Sequence, residues 1–311
     1  MNSSIVKYFV IAIVFLSCQK RDEVSSPTSG RLDILCDELV SSAIAAQEAA
    51  FEKNYPKASI SLKLSTTNYA IGSLLNHDVE CIISTRELDS TETDFLIRNE
   101  IKVYSQKLAL DGIAFIVNAK NPIQEVTLDQ IGSIITGRNI RWASVFDSIS
   151  FPSGIDVVRL VIDGRKSGNY YLLKHQVLND APMTASAEII PGDSVVSSSD
   201  KILNFIASHH DAIGYLSTAF LGNNPIFTKV ADSLKVLRLA GTDYQKAVAP
   251  IPGYVYRGDY PLRRFIYIMH RQDYIGLAAG FTAYMTGNEG QQLFLQSNLV
   301  PAMNPIRLVP E

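Results

Sequence analysis

The chain has little net charge: 28 Lys and Arg against 31 Asp and Glu leave a formal −3 over 311 residues. The basic residues are dispersed and form no stripe interleaved with aromatics, which excludes a nucleic-acid binder that works through the phosphate backbone. Cysteine is scarce, only Cys18, Cys36 and Cys81, and histidine numbers 5. Two thiols with no clustered histidines do not make a zinc site, and no metal or other cofactor is expected. Cys36 and Cys81 could pair in an exported compartment. Each lies in or beside an apolar, strand-like run, however, where a cysteine reads as a small buried hydrophobe. Catalytic signatures are missing as well: there is no Ser-His-Asp order, no Gly-x-Ser-x-Gly, no phosphate-binding Walker loop and no metal-ligand histidine spacing. The adjacent His209 and His210 fall on one predicted helix and read as surface. No enzyme is expected. The apolar run over residues 8–16 is too short to span a bilayer, which takes about 20 residues, and no internal repeat is visible.

What is present begins at the N-terminus. Lys7 precedes that apolar run, and Ser17 and Cys18 follow it, so residues 1–18 read as a signal peptide. The Phe15-Leu16-Ser17-Cys18 end is similar to a lipoprotein box, in which Cys18 becomes the lipidated first residue of the mature chain. A plain secretory signal is the alternative. Residues 19–30 are charged and then rich in Ser, Pro, Thr and Gly, the composition of a flexible tether. Beyond the tether, 47 % apolar and 19 % charged residues are ordinary for a folded globular chain. The length exceeds what one compact core usually holds, which favours two lobes or one large α/β domain.

Periodicity predicts strands over residues 31–36, 59–64 and 80–84, with helices over 39–53 and up to about 77 between them. This β-α-β-α-β series implies a largely parallel sheet with helices on both faces and ligands at the carboxyl ends of its strands. Further strands are expected over 106–118, 156–162, 212–216, 236–239 and 267–269, and helices over 127–136, 170–177, 199–208, 274–285 and 289–297. A polar loop, Asp163 to Asn169, opens the helix at 170.

Several stretches together resemble the phosphate-binding protein family of type II periplasmic binding folds. They are Phe51 with Asn54-Tyr55-Pro56, Ser84-Thr85-Arg86-Glu87-Leu88, the run from Asp111 to Asn118, Ser167-Gly168, the run from Ala212 to Ser217, Tyr260-Pro261-Leu262-Arg263-Arg264, and Gly290-Gln291-Gln292 with Leu299-Val300-Pro301. The resemblance implies an α/β fold of two lobes, mixed sheets flanked by helices, with a ligand cleft between them. One lobe would comprise residues 31–114 and 221–311, the other residues 115–220. It further implies a monomer on the periplasmic side of the cell envelope, held to a membrane only by its N-terminal lipid. Such a protein captures a small oxyanion, phosphate first, and presents it to an ABC permease by hinge closure.

Helix N-termini hold an oxyanion through unpaired N–H groups and a partial positive charge. Three loops of that kind are Asp37-Glu38-Leu39 after the first strand, Ser65-Thr66-Thr67-Asn68 after the second, with Thr66 and Thr67 as hydroxyl donors, and Ser167-Gly168-Asn169 before the helix at 170; Ser84 and Thr85 at the end of the third strand are further candidates. Arg86 and Arg165 are the expected charged donors, because a guanidinium can grip two oxygens at once. The plainer reading makes the Ser, Thr, Asp and Asn residues N-caps and Arg86–Glu87 a solvated pair. The chain also departs from the family pattern. Its first loop offers acids, its third strand ends without an aspartate, Asp163 stands four residues before Ser167 where relatives carry arginine, and Asn169 replaces a threonine. Two alternatives therefore stay open: a sensor or adaptor with a protein partner, and a cationic or zwitterionic solute bound through the first-loop acids.

Overall fold

The computed structural model describes residues 25–192, 196–222, 224–242, 245–271 and 275–303. The expected signal peptide, Cys18 and the first part of the tether lie outside the described residues. The expected series opens the fold: β1 (Ser29–Asp37), α1 (Ser41–Asn54), β2 (Lys57–Ser65), α2 (Thr67–Leu75) and β3 (Cys81–Ser84). β1 lies between β2 and β3, parallel to both. Its alternation is the cause: Leu32, Ile34 and Cys36 are buried, while Arg31 and Asp33 face solvent. Cys36 and Cys81 are free and buried in this sheet. α3 (Ser90–Arg98), not among the expected helices, is fixed by a capping box in which Asp89 accepts from the Glu92 amide and Glu92 from the Asp89 amide.

β4 (Tyr104–Asn118) is the strand on which the molecule turns. Its first part, residues 104–112, pairs antiparallel with β11 (Arg263–His270), which in turn pairs with β3. Its second part, residues 113–118, changes partner and pairs with β8 (Ala212–Ser217) and β9 (Leu234–Val236). One strand thus belongs to both lobes.

The second lobe is built from β5 (Glu125–Thr127), α4 (Leu128–Thr136), α5 (Trp142–Val145), β6 (Arg159–Ile162), α6 (Gly168–Gln176), β7 (Glu188–Ile189) and α7 (Ser198–Ser208), followed by β8, α8 (Pro225–Val230), β9 and β10 (Arg238–Ala240). β6 runs parallel to both β7 and β8. After α9 (Pro252–Arg257), β11 returns to the first lobe, and α10 (Leu277–Thr286), α11 (Asn288–Gln296) and β12 (Val300–Pro301) complete it. Around β1 the core packs Phe51, Phe281, Met285 and Phe294; the second lobe packs Phe115, Trp142, Leu173 and Tyr215.

Three expectations shift. The return crossing lies later than residue 220, because β9 pairs with β4, β10 pairs with β5, and Leu237 and Leu239 pack into the second-lobe core. The strand expected over 236–239 is two short strands, β9 and β10, on different sheets. Ser29 and Gly30, read as tether, open β1, and Ser25 Oγ accepts from the Leu277 amide at 3.1 Å.

Where β4 changes partner, Asp111 stands opposite Arg264 of β11. Arg264 Nε and Nη2 donate to Asp111 Oδ2 at 3.1 and 3.0 Å. Asp111 Oδ1 accepts from Ser217 Oγ, the Thr218 amide and Thr218 Oγ1 at 2.8, 3.1 and 3.0 Å. The carboxylate is fully buried and ties β4, β11 and the end of β8 together. Removing one partner of such a pair strands the other charge, so Asp111→Ala is expected to cost about 3–5 kcal/mol, read as a lower urea midpoint.

Candidate functional site

The parallel strands bring their carboxyl ends to one edge, and the residues that follow them meet there. Asp37 ends β1, Thr67 opens α2 and Thr85 follows β3. Asp37 is buried, and its Oδ2 accepts from the Thr67 hydroxyl and from Thr85 Oγ1, the latter at 2.7 Å; its Oδ1 accepts from the Leu39 amide at 3.1 Å. Across the cleft, Ser167 caps α6: Oγ accepts from the Tyr170 amide at 3.0 Å and donates to Asp163 Oδ1 at 2.8 Å. Asn169 Nδ2 donates to Asp163 Oδ2 at 2.9 Å, and its Oδ1 accepts from Arg264 Nη2 at 2.7 Å. Gly168 sits where the lobes touch. A Cβ there would lie 2.1 Å from Thr85 Oγ1, 3.0 Å from Thr67 Oγ1 and 3.3 Å from Arg264 Nη1, so only glycine lets α6 approach this closely.

Arg264 is 7 % exposed, and its Nη1 is buried with no hydrogen-bond partner among the described residues. A buried guanidinium nitrogen left unpaired is costly. This one faces Gly168 at the N-terminus of α6, whose first amides have no acceptor within the helix. Donors thus converge from both lobes on the two threonines and Asp37.

Burial sets the electrostatics. It pushes the Asp163 carboxyl from 3.8 up to about 7, helped by the nearby charges of Glu38 and Asp37 and opposed by the Ser167 and Asn169 hydrogen bonds. It raises Asp37 as well, against the pull of Arg264 and the threonine hydroxyls, and it raises Glu38, against its bonds to Ser198. The site is therefore less negative near neutrality than its count of acids implies.

The residues expected from sequence divide. Asp37, Thr67, Thr85, Ser167, Gly168 and Asn169 come together, and the Leu39 amide serves Asp37. Glu38 is spent elsewhere: Ser198 Oγ and the Ser198 amide donate to its carboxylate at 2.9 and 3.2 Å, which places it on the N-terminus of α7 across the cleft. Thr66 is the N-cap of α2 with no side-chain bond, and Ser84 Oγ donates to the Arg86 carbonyl at 2.7 Å. Neither expected arginine reaches the site. Arg86 pairs with both oxygens of Glu92 at 2.7 Å and with Asn68, and lies 5.0 Å from the Tyr171 ring. Arg165 donates to the Met183 and Thr184 carbonyls at 3.2 and 2.8 Å. Their place is taken by Arg264, with Asp111 behind it. The signal for Arg264 was in the Tyr260 to Arg264 motif, but which of its adjacent arginines turns inward depends on strand register.

A family model described as PBP superfamily domain matches residues 22–289. The chain belongs to the PBP superfamily. Among the relatives of this superfamily member, the Streptococcus agalactiae phosphate-binding protein PstS 2 is 25 % identical over 118 residues, covering 38 % of each chain. The alignment thus spans under two-fifths of that relative's length. The Pseudomonas aeruginosa phosphate-binding protein PstS is 21 % identical over 291 residues, covering 89 % of this chain and 84 % of that one. A Clostridium perfringens structure assigned as a phosphate ABC transporter substrate-binding protein with bound phosphate superposes with a TM-score of 0.73 at 20 % identity, covering 88 % of this chain and all of that one. The superposition shows the shared periplasmic-binding fold.

The raised carboxyls make stability depend on pH with a definite sign. A carboxyl raised by folding binds its proton more tightly in the native state, so its contribution is full below the ordinary carboxylate range and is lost as the pH rises towards 7. The melting temperature of the ligand-free protein is expected to fall between about pH 5 and about pH 8, and Asp163→Asn to remove part of that fall. Thermal melts across this range measure both.

Proposed function

We propose that the protein captures a protonated oxyanion, phosphate first, in this interlobe site. It then presents the ligand to an ABC permease on the extracytoplasmic face of a membrane, where the chain is anchored as a monomer through a lipid on Cys18. The observation that carries the reading is the unpaired, buried Arg264 Nη1 aimed at the N-terminus of α6. A guanidinium and first-turn amides suit an oxyanion, and Asp37, which already accepts from the Thr67 and Thr85 hydroxyls and the Leu39 amide, has a lone pair left for its O–H. A fully ionised tetrahedral anion has no proton to offer Asp37, so sulfate is disfavoured. The names of the relatives, phosphate-binding in each case, support the same ligand. The cationic-solute reading loses support because Glu38 already accepts from Ser198 across the cleft, while the unpaired donor at the site is Nη1 of the Arg264 guanidinium. Among the described residues no helix is long and apolar enough to cross a membrane.

Isothermal titration with phosphate, arsenate and sulfate tests the proposal. Phosphate and arsenate are expected to bind and sulfate not. Arg264→Lys keeps a positive charge beside Asp111 but loses the guanidinium fork, and is expected to weaken phosphate by about 10- to 100-fold, the worth of one charge-assisted hydrogen bond. Arg165→Ala is expected to leave the affinity within about twofold. Absence of heat with every oxyanion, or an unchanged affinity in Arg264→Lys, overturns the reading.

A further inference from the structure

The oxyanion site is open on one side. A cavity of about 220 Å³ is lined by Thr85, Gly168 and Arg264, three of the residues that meet at the site, and it runs on between α6 and β11. Its walls there include Tyr171, Leu172, Phe265 and Tyr267, together with the polar residues Glu87, His175, Gln176 and Arg263. At about 30 Å³ per molecule the space equals about seven waters, well beyond what a phosphoryl group fills. Arg86, which also lines it, does not supply a free charge, because Glu92 and Asn68 hold its guanidinium near the Tyr171 ring. The cavity therefore joins a charged, donor-rich end to a body in which aromatic and apolar surface stands beside a polar rim.

We propose that the site takes monosubstituted phosphoryl compounds, phosphonates or phosphomonoesters, whose small aromatic or branched apolar substituent lies in this cavity. The inference rests on the oxyanion reading above and narrows its ligand class. Replacing one oxygen of phosphate by a carbon or ester substituent keeps the charge that Arg264 Nη1 and the start of α6 would meet. It also keeps a P–OH whose proton Asp37 accepts. Burial of the substituent against Tyr171, Phe265 and Tyr267 then adds apolar contact that inorganic phosphate lacks. A disubstituted phosphate has no P–OH to donate to Asp37 and is rejected.

The test is titration of the full chain, purified in detergent, with inorganic phosphate, phenylphosphonate and dimethyl phosphate. Phenylphosphonate is expected to bind at least as tightly as inorganic phosphate, to compete with it, and to gain up to about tenfold; dimethyl phosphate is expected not to bind. Gln176 lines the cavity and is exposed near the end of α6. Gln176→Trp fills the space and is expected to weaken phenylphosphonate by about tenfold or more while leaving inorganic phosphate within about twofold. Phosphate binding without phenylphosphonate binding overturns the inference and leaves the oxyanion reading standing. Failure of both ligands overturns both. Equal loss of both in a folded Gln176→Trp protein, or no change for phenylphosphonate, overturns the role of the cavity. The wild-type comparison decides even where that variant does not fold.

Discussion

The buried pair of Asp111 and Arg264 is the constraint on which the rest of the structure depends. It sits on neighbouring strands at the position where β4 leaves β11 and takes up β8. Asp111 is satisfied from the second lobe by Ser217 and Thr218 and from the first by Arg264, so the two sheets cannot shift at the crossover without unpairing a charge. Two of the three guanidinium nitrogens are used in this way. The third is thereby aimed into the cleft, which makes the hinge and the site one piece of chemistry.

Around that guanidinium the chain gathers acids, an unusual surrounding for the oxyanion proposed to bind there. The geometry resolves the conflict by giving each acid a separate task. Asp111 anchors the arginine, Asp163 holds Ser167 and Asn169 at the start of α6, Glu38 caps α7 from the opposite lobe, and Asp37 gathers Thr67 and Thr85. Burial raises Asp37, Glu38 and Asp163, and at Asp163, pushed up to about 7, part of the negative charge is removed by a proton near neutrality. Glu38 bonded to Ser198 also joins the lobes directly, in the way an anion at a helix N-terminus does.

Much of the fold was legible because its signals are local. The alternation in residues 31–36, the helical spacing after residue 39 and the Ser167-Gly168 start of α6 follow from short-range sterics and capping, and the corresponding elements form within a few residues of expectation. The polar loops that meet at the cleft were legible for the same reason, since a polar residue after a strand and before a helix marks the strand's carboxyl end. α3 was missed although Asp89 and Glu92 carry a capping box, because its apolar residues are the single run Phe95, Leu96 and Ile97 and none of its residues is buried. The division between lobes was misplaced because β9 and β10 are three residues each and owe their position to β4 and β5.

The sequence by itself determined the α/β series, the strand ends that carry polar loops and the scarcity of thiols, metal ligands and net charge. Only the tertiary structure decided which charges work. Arg86 and Arg165 looked suited to an anion, but Glu92 and the carbonyls of Met183 and Thr184 claim them. Arg264 looked no different from Arg263 beside it. Adjacent residues on a strand point to opposite faces, and it is the pairing of Arg264 with Asp111, 153 positions earlier in the chain, that turns one inward and the other out. A contact that distant leaves no local pattern to read.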